Sequence, residues 1–276
     1  MIKIMNKLIW CNLSKLLAFL VLTQSALAHR QWILPSTSIF SGKDQWVSVE
    51  AAISNDLFFP NHHAIALEQI QVLDPEGMKV DLQNSAEGKI RSTFEVLLEK
   101  EGTYKMGTES SRFFARWKDG EETKRWRGTL EEFFASEMKD KPEVQLANYR
   151  SRVETFVTSG APSREILKPT GKGLELDFLT HPNDLFAGEK GRFRLLLEGE
   201  PLENGKVTIV QGNDRFRNEV GEIIIMTNSS GEFEVSWPNA GRFWLSASAE
   251  QGAQEVNGIQ LEKRASYILT FEVLPD

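Results

Sequence analysis

The chain has 276 residues, 41% hydrophobic and 26% charged, which is the composition of a globular protein. Its net charge of −7 argues against a nucleic-acid binder, because neutralising phosphates takes clustered Lys and Arg. The length allows one large domain or two ordinary ones.

The first segment carries Lys3, Lys7 and Lys15 and no acid, then the apolar run Leu16 to Leu22, then Ala26-Leu27-Ala28. A basic region, a short apolar core and an A-x-A site form a secretory signal peptide at 1–28. The apolar core is far below the ~20 residues that span a bilayer. The processed protein is therefore expected in the periplasm, or outside the cell in a host without an outer membrane, and not spanning the membrane. Cleavage after Ala28 leaves 248 residues and shifts the net charge from −7 to −10. Cys11, the only cysteine, leaves with the signal, so disulfides, thiolate ligands and cysteine catalysis are excluded.

Along the processed chain, Val47, Val49, Ala51 and Ile53 alternate in a half-buried strand over Gln45 to Ile53. Ile65 to Leu73 is a second apolar run, closed by the turn Asp74-Pro75-Glu76-Gly77. Phe94, Val96 and Leu98 alternate again, and further strands run through Tyr104 and from Phe113 to Trp117, punctuated by Glu101-Gly102 and Asp119-Gly120. The period then changes. Thr129 with Glu132 is a capping box before Leu130, Phe133 and Phe134. Pro142 suits the first turn of a second helix reaching about Thr158, with Leu146, Tyr149, Val153 and Phe156 as its apolar stripe.

Ser159-Gly160-Ala161-Pro162 reads as a linker, after which period two returns through Leu174, Phe193, Val207, Ile223, Phe233, Phe243 and Tyr267 to Val273. About seven short strands spaced by turns read as a β-sandwich of immunoglobulin or transthyretin type. The expected fold is mainly β, with two sandwich-like domains. The N-terminal one spans 29–165 and has a helical insertion at about 129–158; the immunoglobulin-like one spans 166–276.

No G-x-S-x-G elbow, phosphate loop, dinucleotide fingerprint or H-E-x-x-H is present, and a non-enzymatic role is expected. The informative residues are the four histidines: His29, His62, His63 and His181. Cleavage after Ala28 makes His29 the first residue. Its free α-amine and ring Nδ1 then chelate one metal ion, and the amine's reference pKa of about 8 lets it deprotonate for a metal near neutrality. Imidazole suits nickel, copper, zinc and iron. A further ring from His62, His63 or His181 completes a histidine brace. Adjacent residues of a strand face opposite ways, so one of His62 and His63 is expected to point into the site.

The opening Ala28-His29-Arg30-Gln31-Trp32-Ile33-Leu34-Pro35 resembles the "AHxxWLxP" start of a family of secreted bacterial proteins associated with nickel uptake, much of it a domain of unknown function. Four more segments fit in the same order: Phe58 to His63, the segment around Tyr149-Arg150, Leu179 to Val210, and Ala240 to Glu250 with Ala265 to Val273. The resemblance covers essentially the whole processed chain. It implies a periplasmic protein of transition-metal uptake, with His29 as a metal ligand. Family members often carry "GHxFP" near the second segment; here Phe59-Pro60 precede His62-His63, and Asp56-Leu57 stand in place of Gly-His.

The preferred expectation is a periplasmic protein that binds nickel, with copper and zinc as the alternative ions, and delivers it to a metal permease or outer-membrane receptor. One alternative is a copper-handling protein or copper oxygenase built on the brace, with Trp117 and Trp126 as sugar-stacking candidates. The other is a structural or adhesive β-sandwich module without metal.

Overall fold

The computed structural model describes residues 29–276; the expected signal peptide, with Cys11, lies outside the described residues. In chain order the first strands are β1 (Arg30–Pro35), β2 (Ile39–Phe40), β3 (Gln45–Ser54), β4 (His63–Ala64), β5 (Gln71–Leu73), β6 (Lys79–Val80), β7 (Gln83–Glu87) and β8 (Ser92–Leu98). The long hairpin β9 (Gly102–Asp119) and β10 (Glu122–Gly128) follows, then helix α1 (Leu130–Ala135) and β11 (Gln145–Ser159). The C-terminal half holds β12 (Leu174–Phe178), β13 (Lys190–Leu197), β14 (Glu200–Pro201), β15 (Lys206–Gln211), β16 (Ile223–Met226), β17 (Glu232–Ser236), β18 (Gly241–Val256) and β19 (Ile259–Val273).

The protein is mainly β, as the alternation predicts, and both halves are sandwiches built on one shared sheet. That sheet has ten strands and runs β16-β15-β18-β19-β11-β9-β5-β6, with β10 added on β9 and β2 on β11. A second sheet, β1-β3-β8-β7 with β4 on β3, covers one face of the N-terminal part. Between them lie Ile33, Val47, Val49, Phe94 and Val96 on one side and Tyr104, Met106, Val153 and Val157 on the other. A third sheet, β12-β13-β14 with β17 on β13, packs against the C-terminal part over Leu176, Phe193, Trp237, Phe243, Tyr267 and Phe271.

The two covering sheets lie on opposite faces of the shared one. In β11, Val153 and Val157 enter the first core while Phe156 enters the second; in β19, Ile268 and Tyr267 divide the same way. Strand alternation delivers successive residues to the two faces.

This two-sided burial corrects the helix expected to reach Thr158. The capping box is present, with Thr129 accepting from the Glu132 amide and Glu132 from the Thr129 amide, but α1 ends at Ala135. A short 3-10 turn follows at Glu137–Asp140, and Gln145–Ser159 is a strand. From Arg152 to Ser159 this strand is buried on both faces and shows no clean period of two, so its apolar residues also satisfied a helical spacing. Antiparallel pairing with β9 and parallel pairing with β19 hold it extended.

The segment expected as a linker is also tied down. Ser163 Oγ accepts from the Thr103 amide at 2.9 Å, Arg164 donates to the carbonyls of Phe178 and Leu179, and Leu167 is buried. The halves are joined by β11 pairing with β19 from Leu146–Leu261 to Thr155–Thr270. The β18–β19 hairpin turns on Asn257-Gly258, both at positive φ, as a tight two-residue hairpin turn requires.

Limited trypsin digestion is expected to cut first after Lys118 or Lys124, which flank the exposed hairpin tip, or after Arg217, and not at 160–172. A fragment starting at residue 166 should not persist, because β19 then loses its β11 partner. Mass spectrometry of the earliest tryptic products checks both outcomes.

Candidate metal centre

Three of the four histidines meet at one end of β3. β1 flanks β3 on one edge, with Arg30 opposite Ser54, which places His29 just past the strand end. The chain leaves β3 at Ser54, loops through 55–62 and returns as β4, with His63 opposite Ile53. The His29 and His62 rings stack with centroids 3.8 Å apart and planes 9° from parallel; His62 and His63 lie 4.1 Å apart. The pairwise facing expected for adjacent strand residues does not apply, because the strand begins at His63 and His62 belongs to the loop. Both rings therefore join the cluster.

The loop is shaped by its own polar groups. Ser54 Oγ donates to the Phe59 carbonyl at 2.6 Å and accepts from the Asn61 amide at 2.9 Å. Asn61 in turn accepts from the Asn55 amide and donates to Asp56.

The C-terminal half anchors it. Buried Asp214 accepts from Arg30 at 2.5 Å and from the Leu57 amide at 3.3 Å, so one carboxylate grips both the strand after His29 and the loop before His62. Arg215 lies over the Phe59 ring at 3.7 Å, and Trp244 Nε1 donates to the Gln31 carbonyl. Leu57 buries with Trp32, Val210 and Trp244. Gly212 lets the chain pass close to this loop, since a Cβ there would sit tightly against the Phe58 ring at 3.0 Å.

His29 and His63 are exposed and His62 is half-buried. Partial burial lowers the His62 pKa, and positive charge on His29 and His63 lowers it further. His62 is thus held toward its neutral, ligating form. The donor set of three imidazoles fits a divalent transition ion. In the arrangement present, no three His, Cys, Asp or Glu side chains among the described residues converge as metal ligands do. The free α-amine depends on cleavage after Ala28, which lies outside the described residues.

His181 stands apart. It is 5% exposed and closes a ring of hydrogen bonds where the halves meet. Its Nδ1 accepts from the Asn183 amide, which places the proton on Nε2, facing the Ser163 carbonyl and Thr103 Oγ1, each at 3.1 Å. Thr103 Oγ1 pairs with Thr158 Oγ1, and Thr158 donates to Asn183 Oδ1 at 2.8 Å. With both nitrogens engaged in the interior, His181 is a structural residue, which corrects its place among the candidate ligands. Trp126 packs on Phe133 with centroids 5.5 Å apart, and Trp117 sits on the β9–β10 hairpin opposite Lys124.

Sequence reasoning missed Asp214 and Arg30, for which no local pattern exists: they are 184 residues apart and matter only because the chain brings them together. It also passed over the arginines of β9 and β10, although Arg112, Arg116, Arg125 and Arg127 alternate about the Asp119-Gly120 turn.

Residues 26–251 match the family model described as "Domain of unknown function (DUF4198)". The chain belongs to this family. No curated protein matches it. Among solved structures it is similar to the D0-D1 domain of intimin at 11% identity and a TM-score of 0.22, covering 88% of this chain and 97% of that one. It is also similar to a DUF4785 family protein of Legionella pneumophila at 9% identity and a TM-score of 0.25, covering 78% of this chain and 52% of that one. Scores this low carry no functional weight. Among the described residues, no helix is long and apolar enough to cross a membrane.

Burial is the main cause that lowers the His181 pKa. A depressed histidine pKa favours the neutral folded state, so this contribution is present above about pH 6.5 and is lost as pH falls below it toward the folded value. His181→Ala should cost about 1–3 kcal/mol by stranding its buried partners while leaving metal affinity unchanged. His62→Ala should do the reverse, shifting stability by less than about 0.5 kcal/mol. Urea titrations at several pH values and calorimetric metal binding check the pair.

Proposed function

We propose that this protein is an exported, non-enzymatic carrier of a divalent transition metal, with nickel the first choice and copper or zinc the alternatives. Its ligands are the α-amine and ring of His29 with His62 and His63. The observation that carries this reading is the ring-to-ring cluster of His29, His62 and His63, drawn together from two chain segments by β3. The A-x-A site ahead of His29 and the resemblance of the opening segment to proteins of nickel uptake support it.

The chemistry follows from the donors. An α-amine and an imidazole of one residue close a six-membered chelate, and neutral His62 is ready to join it. The ion is cargo: it is received and passed on, in this reading to a permease or an outer-membrane receptor. A cluster in which His29 and His63 are exposed suits loading and release better than a closed structural site.

N-terminal sequencing of the exported protein should begin at His29. Isothermal titration with Ni²⁺, Cu²⁺ and Zn²⁺ should show one ion per chain. Adding one residue before His29 turns the amine into an amide and should weaken binding as strongly as His29→Ala. His62→Ala and His63→Ala should each weaken it about 10–100-fold, while lowering the pH from about 8 to 6 should release metal as the donors protonate. Equal affinity of the native and extended proteins would remove the chelate.

A further inference from the structure

The shared sheet is longer than the sheet that covers it. Where the first core ends, the same face of β9, β11 and β19 continues uncovered and forms a groove of about 770 Å³. The register fixes its rows. Ser110, Ser151 and Ser266 lie side by side, then Arg112, Tyr149 and Arg264, then Phe114, Ala147 and Glu262, with Arg116 beside Arg125 and Gln145 at the far end. The opposite face is closed by α1, whose Phe133 packs with Ala115, Leu146 and Leu261, so the open face alone is available.

The charge of this groove runs against that of the protein. The chain carries −7, yet four arginines and a single carboxylate, Glu262, line the groove. Arg264 is shared by Glu250 and Glu262. Among the described residues, Arg112, Arg116 and Arg125 have no carboxylate within 4.0 Å. Arg116 commits only its Nε, to Gln145 at 2.6 Å. Arg116 and Arg125 are direct cross-strand partners, an arrangement that like charges make unfavourable unless an anion sits between them. Beside them Phe114 and Tyr149 are 36% and 40% exposed, their rings edge to face with centroids 5.3 Å apart and Arg264 over the Tyr149 ring, which leaves apolar ring edges open to the groove.

We propose that this groove binds a compact ligand carrying at least two oxyanion groups, phosphate or carboxylate, on a flat or sugar-like body. Arg116 and Arg125 grip one anionic group in the forked geometry that guanidinium gives to such oxygens. Arg112 takes a second, the serine row meets hydroxyls, and Phe114 and Tyr149 carry the body. The volume suits a small molecule. The ligand is either free in solution or the headgroup of an anionic lipid. The site is independent of the histidine cluster.

The test is calorimetry on the processed full chain in metal-free buffer, with pyrophosphate, citrate and vesicles containing cardiolipin, whose headgroup carries two phosphates, as probes. At least one probe should bind saturably and more weakly as salt rises; binding of a free anion marks a soluble ligand, and binding of vesicles alone marks a headgroup. R116Q/R125Q, both on the exposed hairpin, should lose about tenfold or more in affinity. K124Q removes a charge from the other face of the same hairpin and should not alter it. Failure of all three probes, or a loss in R116Q/R125Q no greater than in K124Q, would overturn the proposal.

Discussion

The parallel pairing of β11 with β19 is the constraint on which the rest depends. It joins strands more than a hundred residues apart into one sheet and so makes two sandwiches share a wall. Charged groups are buried along this seam. Arg152 meets Glu175 at 2.5 Å, Glu154 accepts from Tyr267 at 2.9 Å, and Glu175 also takes the amides of Thr170, Gly171 and Lys172. Burial pulls the Arg152 pKa down, but the fields of Glu154, Glu175 and Glu109 outweigh it and hold the pKa above its usual value. Such a network contributes little net stability over an apolar core, but an unpaired member is costly, so it penalises other registers of β11 against β19.

From that seam the two surface features follow. The first covering sheet stops short of the end of the shared sheet, which leaves the arginine groove open. β1 is the edge strand of that covering sheet, and Gln31 lines the groove's near end. His29 lies two residues earlier, just ahead of β1. Asp214, Trp244 and Arg215 of the C-terminal half fix the segments that carry it and its neighbours. Disturbing the junction between halves would therefore be felt at the histidines.

The alternating strands of the first sheet, at Val47 to Ile53 and Phe94 to Leu98, were legible because each has one face in the core and one toward solvent. The capping box at Thr129 was legible because it is a local exchange of hydrogen bonds within four residues. The segment from Gln145 to Ser159 was not, since a strand buried on both sides loses the alternation that identifies it. The candidate site divides the same way. His29 stood out by its place after an A-x-A motif, whereas nothing local distinguishes surface His62 and His63 from interior His181.

By itself, then, the amino-acid sequence determined the class of the fold, the strands with one wet face, the short helix and the choice of His29 as a candidate, because each is written in neighbours along the chain. Only the tertiary structure decided that β11 is a strand, that the expected linker is part of the junction, that His62 and His63 share one cluster and His181 belongs to another, and that scattered arginines form a single groove. Those outcomes depend on which distant segments share a sheet and in what register, and pairing of that kind is settled by burial across the whole molecule.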